Sequence, residues 1–306
     1  MKFRIATPTL NPGPALQACV RSVQQQEGVS ATHHIQDGGS TDQTIEWLRT
    51  QPRVSWNQAP DCGMYDAIAR AWQAGDEDIL AWLNADEQYL PGTLAKIRRY
   101  FEAHPEADAV FGDYIVIRPD GHALAARREI PLRRWYIVNG TLYVQSCAFF
   151  VRRRIWAQSG GFNPAYKIAG DKEWMLRLLD QGMRFRHIPE YLALFTASGR
   201  NLSCHPDRRA ESEKIRRDFG AYTPPVLRLL PRLCRLLEKT VRGKLLPAHI
   251  RYSFIDAGTL SSRIMTARTG SRWQWPEAES ASQDAGKCVC CRHATKKGPD
   301  HHTQPL

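Results

Sequence analysis

Residues 79–87 have the sequence Ile79-Leu80-Ala81-Trp82-Leu83-Asn84-Ala85-Asp86-Glu87. The first five residues are all apolar, which predicts a short strand buried on both faces, as in a parallel sheet. Acidic residues at the end of a buried strand need a partner, because an unpaired buried carboxylate is costly. Carboxylate oxygens suit Mg²⁺ or Mn²⁺, so Asp86 and Glu87 are candidate ligands for such a cation. A solvated loop without an ion is the alternative.

The segments around this stretch alternate between strand-like and helix-like patterns. Strand patterns at 3–9, 33–37 and 54–57 alternate with helix patterns at 14–26, 40–50 and 64–73, and a further helix follows at 92–102. This alternation predicts an α/β domain whose mostly parallel sheet is covered by helices on both faces. After residue 105 the pattern changes to several strands, with one more helix at 171–181.

Two other acids lie at predicted turns before helices. In open α/β sheets, ligands bind at the carboxyl ends of the strands, so Asp37 could accept hydrogen bonds from a base or ribose there. The following Gly38-Gly39 would let a ligand approach the backbone closely. Asp61 precedes a helix N-terminus, whose free N–H groups can bind a phosphate. Helix capping is the alternative role for each acid.

The fourth acidic motif is Gly170-Asp171-Lys172-Glu173-Trp174. Asp171 is a candidate general base, and Glu173 is the second candidate. A helix N-cap is again the alternative. If Lys172 lies close, its charge would favour the ionised form of Asp171 and weaken it as a base.

The order of these motifs resembles that of family-two glycosyltransferases. The matching segments are Thr7-Pro8-Thr9-Leu10-Asn11, 22–26, 37–42, 60–67, 83–92, Gln145-Ser146, 160–162 and 170–174. Each motif is moderately specific, but their common order and spacing are hard to obtain by chance. The resemblance covers about residues 3–203.

The resemblance implies a GT-A fold, in which a Rossmann-like nucleotide-binding half is merged with an acceptor-binding half. It places Thr7, Pro8 and Asn11 in the nucleotide pocket and Asp37 and Asp61 on the base or ribose. It makes Asp86 the last acid of a DxD motif that holds the metal and the donor diphosphate. Asn84 stands where this motif usually begins with an acid, and Glu87 stands where a second Asp is common. Asp171 matches the base of inverting members.

The implied reaction is metal-dependent transfer of a hexosyl or N-acetylhexosaminyl group from a UDP- or GDP-sugar to an acceptor hydroxyl, with inversion. The acceptor would be a polysaccharide or a lipid-linked saccharide. Gln145, Glu173 and Trp174 would lie near it, since an aromatic face can stack on a sugar ring. A nucleotidyltransferase and a catalytically lapsed sugar-nucleotide-binding subunit are the alternatives.

The basic charge is concentrated in the last third of the chain. The net charge is +11, and residues 205–306 contribute 19 Lys and Arg against 10 Asp and Glu. We predict a catalytic domain at 1–204, a basic helical appendage at 205–269 and a disordered tail at 270–306. Leucines at helical spacing in 226–237 could contact an anionic membrane or pack on the catalytic domain. No nucleic-acid-binding motif accompanies the charge.

The N-terminus lacks the apolar region of a signal peptide, which favours a cytoplasmic protein, either free or peripheral on the inner membrane. The five scattered cysteines are therefore expected to be reduced thiols. The other three cysteines, Cys288, Cys290 and Cys291, are clustered and could bind zinc, or they could belong to the disordered tail.

Overall fold

The computed structural model describes residues 1–140, 142–199, 201–220 and 229–272. The strands are β1 (Lys2–Thr9), β2 (Ser30–Asp37), β3 (Ser55–Gln58), β4 (Ile79–Trp82), β5 (Gln88–Tyr89), β6 (Ala109–Ile117), β7 (Ala123–Arg127), β8 (Phe149–Arg152), β9 (Phe185–Thr196), β10 (Ala248–Ile255) and β11 (Ser262–Thr269). The helices are α1 (Ala15–Gln24), α2 (Thr44–Arg49), α3 (Met64–Gln73), α4 (Thr93–Ala103), α5 (Arg134–Asn139), α6 (Arg153–Ser159), α7 (Gly170–Asp180), α8 (Arg208–Asp218) and α9 (Leu230–Val241).

Strands β1 to β9 form one sheet in the order β3-β2-β1-β4-β8-β6-β9-β5, and β7 pairs with β6 outside this path. The first four strands in this order are parallel, as the alternating pattern predicts. Beyond β4 only the β6–β9 pair is parallel, and the other pairings are antiparallel. The sheet is therefore a Rossmann-like parallel half joined to a mixed half, as in GT-A glycosyltransferases.

The central strand β4 is buried on both faces, in agreement with its continuous apolar sequence. Ile79 and Ala81 pack in a cluster with residues of α1 and α4. Leu80 and Trp82 point to the opposite face, where α3, α6 and α7 contribute a second cluster rich in aromatic rings. Helices thus cover both faces of the sheet, and burial of both clusters from water stabilises it.

The C-terminal segment is more than a helical appendage, because β10 and β11 form an antiparallel hairpin that the sequence patterns do not predict. Ile250, Tyr252 and Phe254 of this hairpin pack against Ile117 and Leu194 of the main sheet. The hairpin is therefore part of the folded core. The predicted tail from residue 273 and the clustered cysteines lie outside the described residues.

An ordinary amphipathic surface helix packs its apolar side on the protein and exposes its charged side, and helix α9 does the reverse. Its charged side faces the protein: Lys239 Nζ and Arg235 Nη2 each lie 3.0 Å from the Glu129 carboxylate, which has no solvent exposure. Its apolar side faces solvent, and the exposed residues are Leu230, Leu233, Leu236, Leu237 and Val241. For the leucines of α9, packing on the catalytic domain, one of the two predicted roles, is therefore wrong, and residues 226–228 of the predicted pattern lie outside the described residues. No helix within the described ranges is both long and apolar enough to span a bilayer.

Candidate active site

A cleft of about 580 Å³ opens where β1 and β4 end. Its lining residues that belong to the predicted site are Asn11, Asn84, Asp86, Gln145 and Asp171, and Tyr65 and Ser146 lie among them. These residues are up to 160 positions apart in the chain. The folding of the sheet therefore brings the metal-ligand candidate and the base candidate to one cavity.

Asp37, at the C-terminal end of β2, is fully buried and is not among the residues that line this cleft. Its Oδ2 accepts hydrogen bonds from the backbone N–H groups of Gly39 and Ser40, at 2.9 and 2.8 Å. The Ser40 hydroxyl donates to Asp37 Oδ1 and also accepts the N–H of Asn11, at 2.8 Å. Asp37 therefore holds the turn after β2, a capping-type role that the sequence analysis gave as its alternative.

Asn11 and Asp61 border the same turn. Asn11 has a positive φ of 48°, and its Oδ1 accepts the N–H of Thr41 at 2.8 Å. The Asp61 carboxylate covers Gly38, where an added Cβ would lie 2.8 Å from Asp61 Oδ2. Glycine at 38 is therefore needed for this close approach. Asp61 also accepts the N–H of Gly63 at 2.9 Å, and burial raises the pKa of its carboxyl.

Asn84 and Asp86 form the metal-ligand candidate at the end of β4. The Asn84 Oδ1 is buried without a hydrogen-bond partner among the described residues. The Thr196 hydroxyl donates to the Asp86 carbonyl at 2.5 Å and fixes the turn. Within the described ranges no group of three or more His, Cys, Asp or Glu side chains is arranged to hold a metal. A cation here would need further oxygens, such as those of a diphosphate.

Glu87 is fully buried and does not line the cleft. Its carboxyl accepts hydrogen bonds from the backbone N–H and the Nδ2 of Asn84, at 2.8 and 3.1 Å. Burial, with the nearby Asp86 charge, raises the pKa of Glu87 to about 8. Glu87 therefore orients the Asn84 side chain from within the core.

Asp171 begins α7 and faces the cleft. Its Oδ1 accepts a hydrogen bond from the Tyr65 hydroxyl at 3.0 Å and another from the Lys172 N–H at 2.7 Å. Burial raises the pKa of Asp171, and this effect exceeds the lowering by those hydrogen bonds and by the Lys172 charge. The Lys172 side chain turns to the Gly140 carbonyl, at 2.9 Å. The expected weakening of the base by Lys172 is therefore outweighed.

The other two predicted acceptor contacts on α7 are wrong. Glu173 is buried and forms an ion pair with Arg177 at 3.0 Å. Trp174 has no solvent exposure and packs against the rings of Trp72, Trp156 and Phe162, while its Nε1 donates to Ser159. Residues 172–176 of α7 are buried, so Asp171 is the residue of the 170–174 motif that remains available to a substrate.

Two predicted nucleotide contacts on β1 do not line the cleft. Thr7 is fully buried, and its hydroxyl lies 2.8 Å from His33 Nε2. Pro8 is partly exposed but is absent from the cleft wall. Of the three predicted contacts in this region, Asn11, in the loop after β1, is the one that lines the cavity. Cys19, Cys147, Cys204 and Cys234 are free thiols, whereas the partly exposed Cys62 is disulfide-bonded, which corrects the expectation for that residue.

Comparison with known proteins identifies the family. The family model described as Glycosyl transferase family 2 matches residues 4–173, which is more than half of the chain. The chain belongs to glycosyl transferase family 2. The matched region contains Asp37, Asp61, Asp86 and Asp171. As a family 2 glycosyltransferase, the protein is an enzyme that transfers sugars. Membership favours glycosyl transfer over the nucleotidyl transfer that was an alternative.

Curated relatives are also glycosyltransferases. The glycosyltransferase is 27% identical over 187 residues to a PGL/p-HBAD biosynthesis glycosyltransferase of Mycobacterium bovis, covering 57% of this chain and 68% of the relative. It is 25% identical over 189 residues to the chondroitin synthase of Pasteurella multocida, covering 60% of this chain and 19% of that protein.

Solved structures share the fold. The S. aureus TarS 1–349 structure in complex with UDP-GlcNAc superposes with a TM-score of 0.60 at 14% identity, covering 79% of this chain and 73% of that one. The Pyrobaculum calidifontis mannosyltransferase PcManGT, in complex with GDP-Man and Mn²⁺, has a TM-score of 0.54 at 18% identity and covers 79% and 76%. At these identities the likeness is one of fold.

Tyr65 and Ser40 were not predicted as site residues of this glycosyltransferase, although they donate hydrogen bonds to Asp171 and Asp37 respectively. Both lie inside motifs that were singled out for their acids. A buried carboxylate needs hydrogen-bond donors, and that requirement was the available signal.

Proposed function

We propose that this glycosyltransferase moves a sugar from a UDP- or GDP-sugar to an acceptor hydroxyl, with a divalent cation and with inversion at the anomeric carbon. The acceptor is a polysaccharide or a lipid-linked saccharide. One observation carries the proposal: Asp86, at the end of β4, and Asp171, at the start of α7, line the same cleft. The donor complexes of TarS and PcManGT, which share the fold, support a nucleotide sugar as the ligand.

Asp171 acts as the general base in this proposal. Its carboxylate removes the proton from the acceptor hydroxyl while the hydroxyl oxygen attacks the anomeric carbon from the face opposite the leaving diphosphate. Tyr65 and the Lys172 N–H hold the carboxylate in one orientation. Burial raises the pKa of Asp171, which makes it a stronger base when it is ionised. Gln145, on the same wall, is placed to contact the acceptor.

Asp86 and the Asn84 amide oxygen would hold the cation, either Mn²⁺ or Mg²⁺. The residues fit such an ion, because Asn84 Oδ1 is buried without a partner among the described residues and both donors are hard oxygens. A bound cation would neutralise the charge on the leaving diphosphate. The ligand set is incomplete without the donor, so cation and nucleotide sugar are expected to bind together.

The cation role predicts a specific defect in Asp86→Asn. A thermal-shift screen of UDP- and GDP-sugars with and without Mn²⁺ should find at least one sugar that stabilises the wild type more with Mn²⁺. Loss of the only protein carboxylate on the ion should raise the Mn²⁺ concentration needed for half-maximal stabilisation at least about tenfold. Glu27→Gln, an exposed carboxylate far from the cleft, is the matched control. An unchanged Mn²⁺ requirement in Asp86→Asn would remove it from the site.

Release of nucleoside diphosphate from the stabilising sugar tests the function itself. The wild type should release it in the presence of Mn²⁺ and a saccharide acceptor. Binding of nucleotide sugar without any transfer or hydrolysis across an acceptor panel would instead support a catalytically lapsed subunit.

We further propose that the protein is cytoplasmic and peripheral on an anionic membrane, which the apolar side of α9 contacts. The four most exposed apolar side chains of this helix, Leu230, Leu233, Leu237 and Val241, lie three or four residues apart and therefore on one side. The helix belongs to the basic last third of the chain, where 19 Lys and Arg stand against 10 Asp and Glu, and this excess charge would attract anionic headgroups. A lipid-linked acceptor would be found at such a surface.

Replacing Leu233 and Leu237 by Gln should reduce sedimentation with phosphatidylglycerol vesicles at least about fivefold, because both side chains are exposed and their apolar contact with lipid is lost. Ile264→Gln is the control, since Ile264 and Leu233 are each 58% exposed. Equal sedimentation of all three proteins would contradict the membrane role. A change in molecular mass without a change in sedimentation would show that the leucines join two copies of the chain. Deletion of the C-terminal segment is unsuitable, since it would remove the hairpin from the core.

A further inference from the structure

A second cavity of about 550 Å³ lies next to the donor cleft, between the start of α7, helix α8 and α9. Asp171, Gln145 and Ile168 line both cavities. The second cavity therefore also reaches the proposed base, and none of its lining residues belongs to the turns that follow β1 and β2. This is where an acceptor would enter.

The wall of this cavity is strongly basic. Five cationic side chains line it, and only Asp171 and Glu213 are acidic. The cationic residues are Lys172, Arg208, Arg209, Arg216 and Arg232. An apolar or neutral sugar pocket would have no need of this excess charge, since like charges held together destabilise the fold.

Two of the five cations have structural partners. Arg216 forms an ion pair with Glu213 at 2.9 Å and donates to the Asn139 carbonyl at 3.2 Å. Lys172 donates to the Gly140 carbonyl at 2.9 Å. By contrast, the guanidinium groups of Arg208, Arg209 and Arg232 form no hydrogen bond or ion pair with any part of the chain that the structure describes. These three arginines are available to a ligand.

We propose that this cavity binds a phosphate group carried by the acceptor, next to the hydroxyl that Asp171 activates. The inference rests on the proposed function for the identity of the acceptor, but the phosphate site itself does not. Guanidinium groups match phosphate oxygens with paired, charge-assisted hydrogen bonds. Arginines from two different helices, α8 and α9, converge on one cavity, which a merely solvated basic helix face would not produce. The phosphate can belong to a lipid carrier or to a soluble saccharide phosphate.

The test uses glycerol 3-phosphate as the probe, with glycerol as its neutral counterpart, in EDTA so that a cation cannot recruit phosphate to Asp86. Wild-type protein should bind glycerol 3-phosphate and not glycerol. Combined Arg208→Gln, Arg209→Gln and Arg232→Gln should weaken this binding at least about tenfold, since all three charge-assisted contacts are lost. Arg209 and Arg232 are exposed and Arg208 partly so, and their replacement therefore leaves the core intact.

Combined Arg49→Gln, Arg53→Gln and Arg99→Gln is the matched control, because it removes the same charge from exposed sites outside the cavity. Equal binding by wild type and the cavity variant, or equal weakening by both variants, would overturn the proposal. Nucleotide-sugar stabilisation should be unchanged in the cavity variant. Failure of every nucleotide sugar to bind would refute the proposed function and leave the phosphate site standing.

A vesicle arm separates the two sources of phosphate. Vesicles that contain polyprenyl phosphate are compared with phosphatidylglycerol vesicles of equal surface charge, so that general attraction to α9 cancels. A preference for polyprenyl phosphate that the cavity variant loses assigns the phosphate to a lipid carrier. Binding of glycerol 3-phosphate without that preference assigns it to a soluble saccharide phosphate.

Discussion

Asp171→Asn is expected to lower the rate of sugar transfer at least about a hundredfold while leaving nucleotide-sugar binding intact. The amide keeps the size of the side chain and can still accept the hydrogen bond from Tyr65. It cannot accept a proton from the acceptor hydroxyl. The measurement is steady-state transfer at saturating donor, together with donor affinity from thermal shift.

The pH dependence provides an independent readout of the same residue. Burial raises the pKa of Asp171, so the fraction of ionised base falls at a higher pH than it would for an exposed aspartate. As the pH falls through this pKa, the wild-type transfer rate should fall with it, because the protonated carboxyl cannot act as a base. The residual activity of Asp171→Asn should lack this decline.

Asp180→Asn is the matched control for Asp171→Asn. Asp180 ends the same helix, α7, and pairs with Arg134 on the surface. Its replacement should leave transfer within about twofold of the wild type, since surface ion pairs contribute little. Normal turnover by Asp171→Asn would exclude Asp171 as the base, and equal losses in both variants would indicate a defect in α7 itself.

Trp174→Ala is expected to lower the free energy of unfolding by about 3–5 kcal/mol. The fully buried ring fills the space between Trp72, Trp156 and Phe162, and the substitution leaves a cavity there and removes the hydrogen bond from Nε1 to the Ser159 hydroxyl. Chemical denaturation followed by fluorescence measures the loss. Any fall in activity should follow the folded fraction.

Trp135→Ala is the control, because Trp135 is 42% exposed and contacts only the ring of Tyr136 among the described aromatic rings. It should cost less than about 1 kcal/mol. A stable Trp174→Ala protein with a weakened affinity for its acceptor would contradict the structural role. It would instead support the predicted stacking of Trp174 on an acceptor sugar.

The N-terminal half of the fold could be predicted from the sequence, because each strand there has a local signal. β4 is a continuous apolar run, and Asp37 and Gly38 mark the end of β2. The C-terminal hairpin was not predicted although β10 alternates apolar and polar residues from Ala248 to Phe254, because its partner β11, Ser262–Thr269, shows little alternation. Its partner surface comes from β6 and β9, which are far away in the sequence.

The site was predicted less evenly than the fold. Residues at the ends of strands, such as Asp86, could be placed by the rule for ligand sites in α/β sheets. The direction of a side chain near a helix start could not, since Asp171 faces the cleft while Glu173 and Trp174 turn into the core. A three-residue motif does not reveal which side of its helix the core will cover.

The carboxylate of Glu129 fixes the direction in which the leucines of α9 point. If this helix slid or rotated, Lys239 and Arg235 would lose their ion pairs with a carboxylate that has no access to water. The loss would cost about 3–5 kcal/mol of stability. Arg127, at the end of β7 in the main sheet, forms an ion pair with the same carboxylate at 2.8 Å. The leucine side and the catalytic cleft therefore keep one mutual angle. When a bilayer contacts those leucines, the mouth of the cleft is therefore held at one height and one tilt relative to the lipid headgroups.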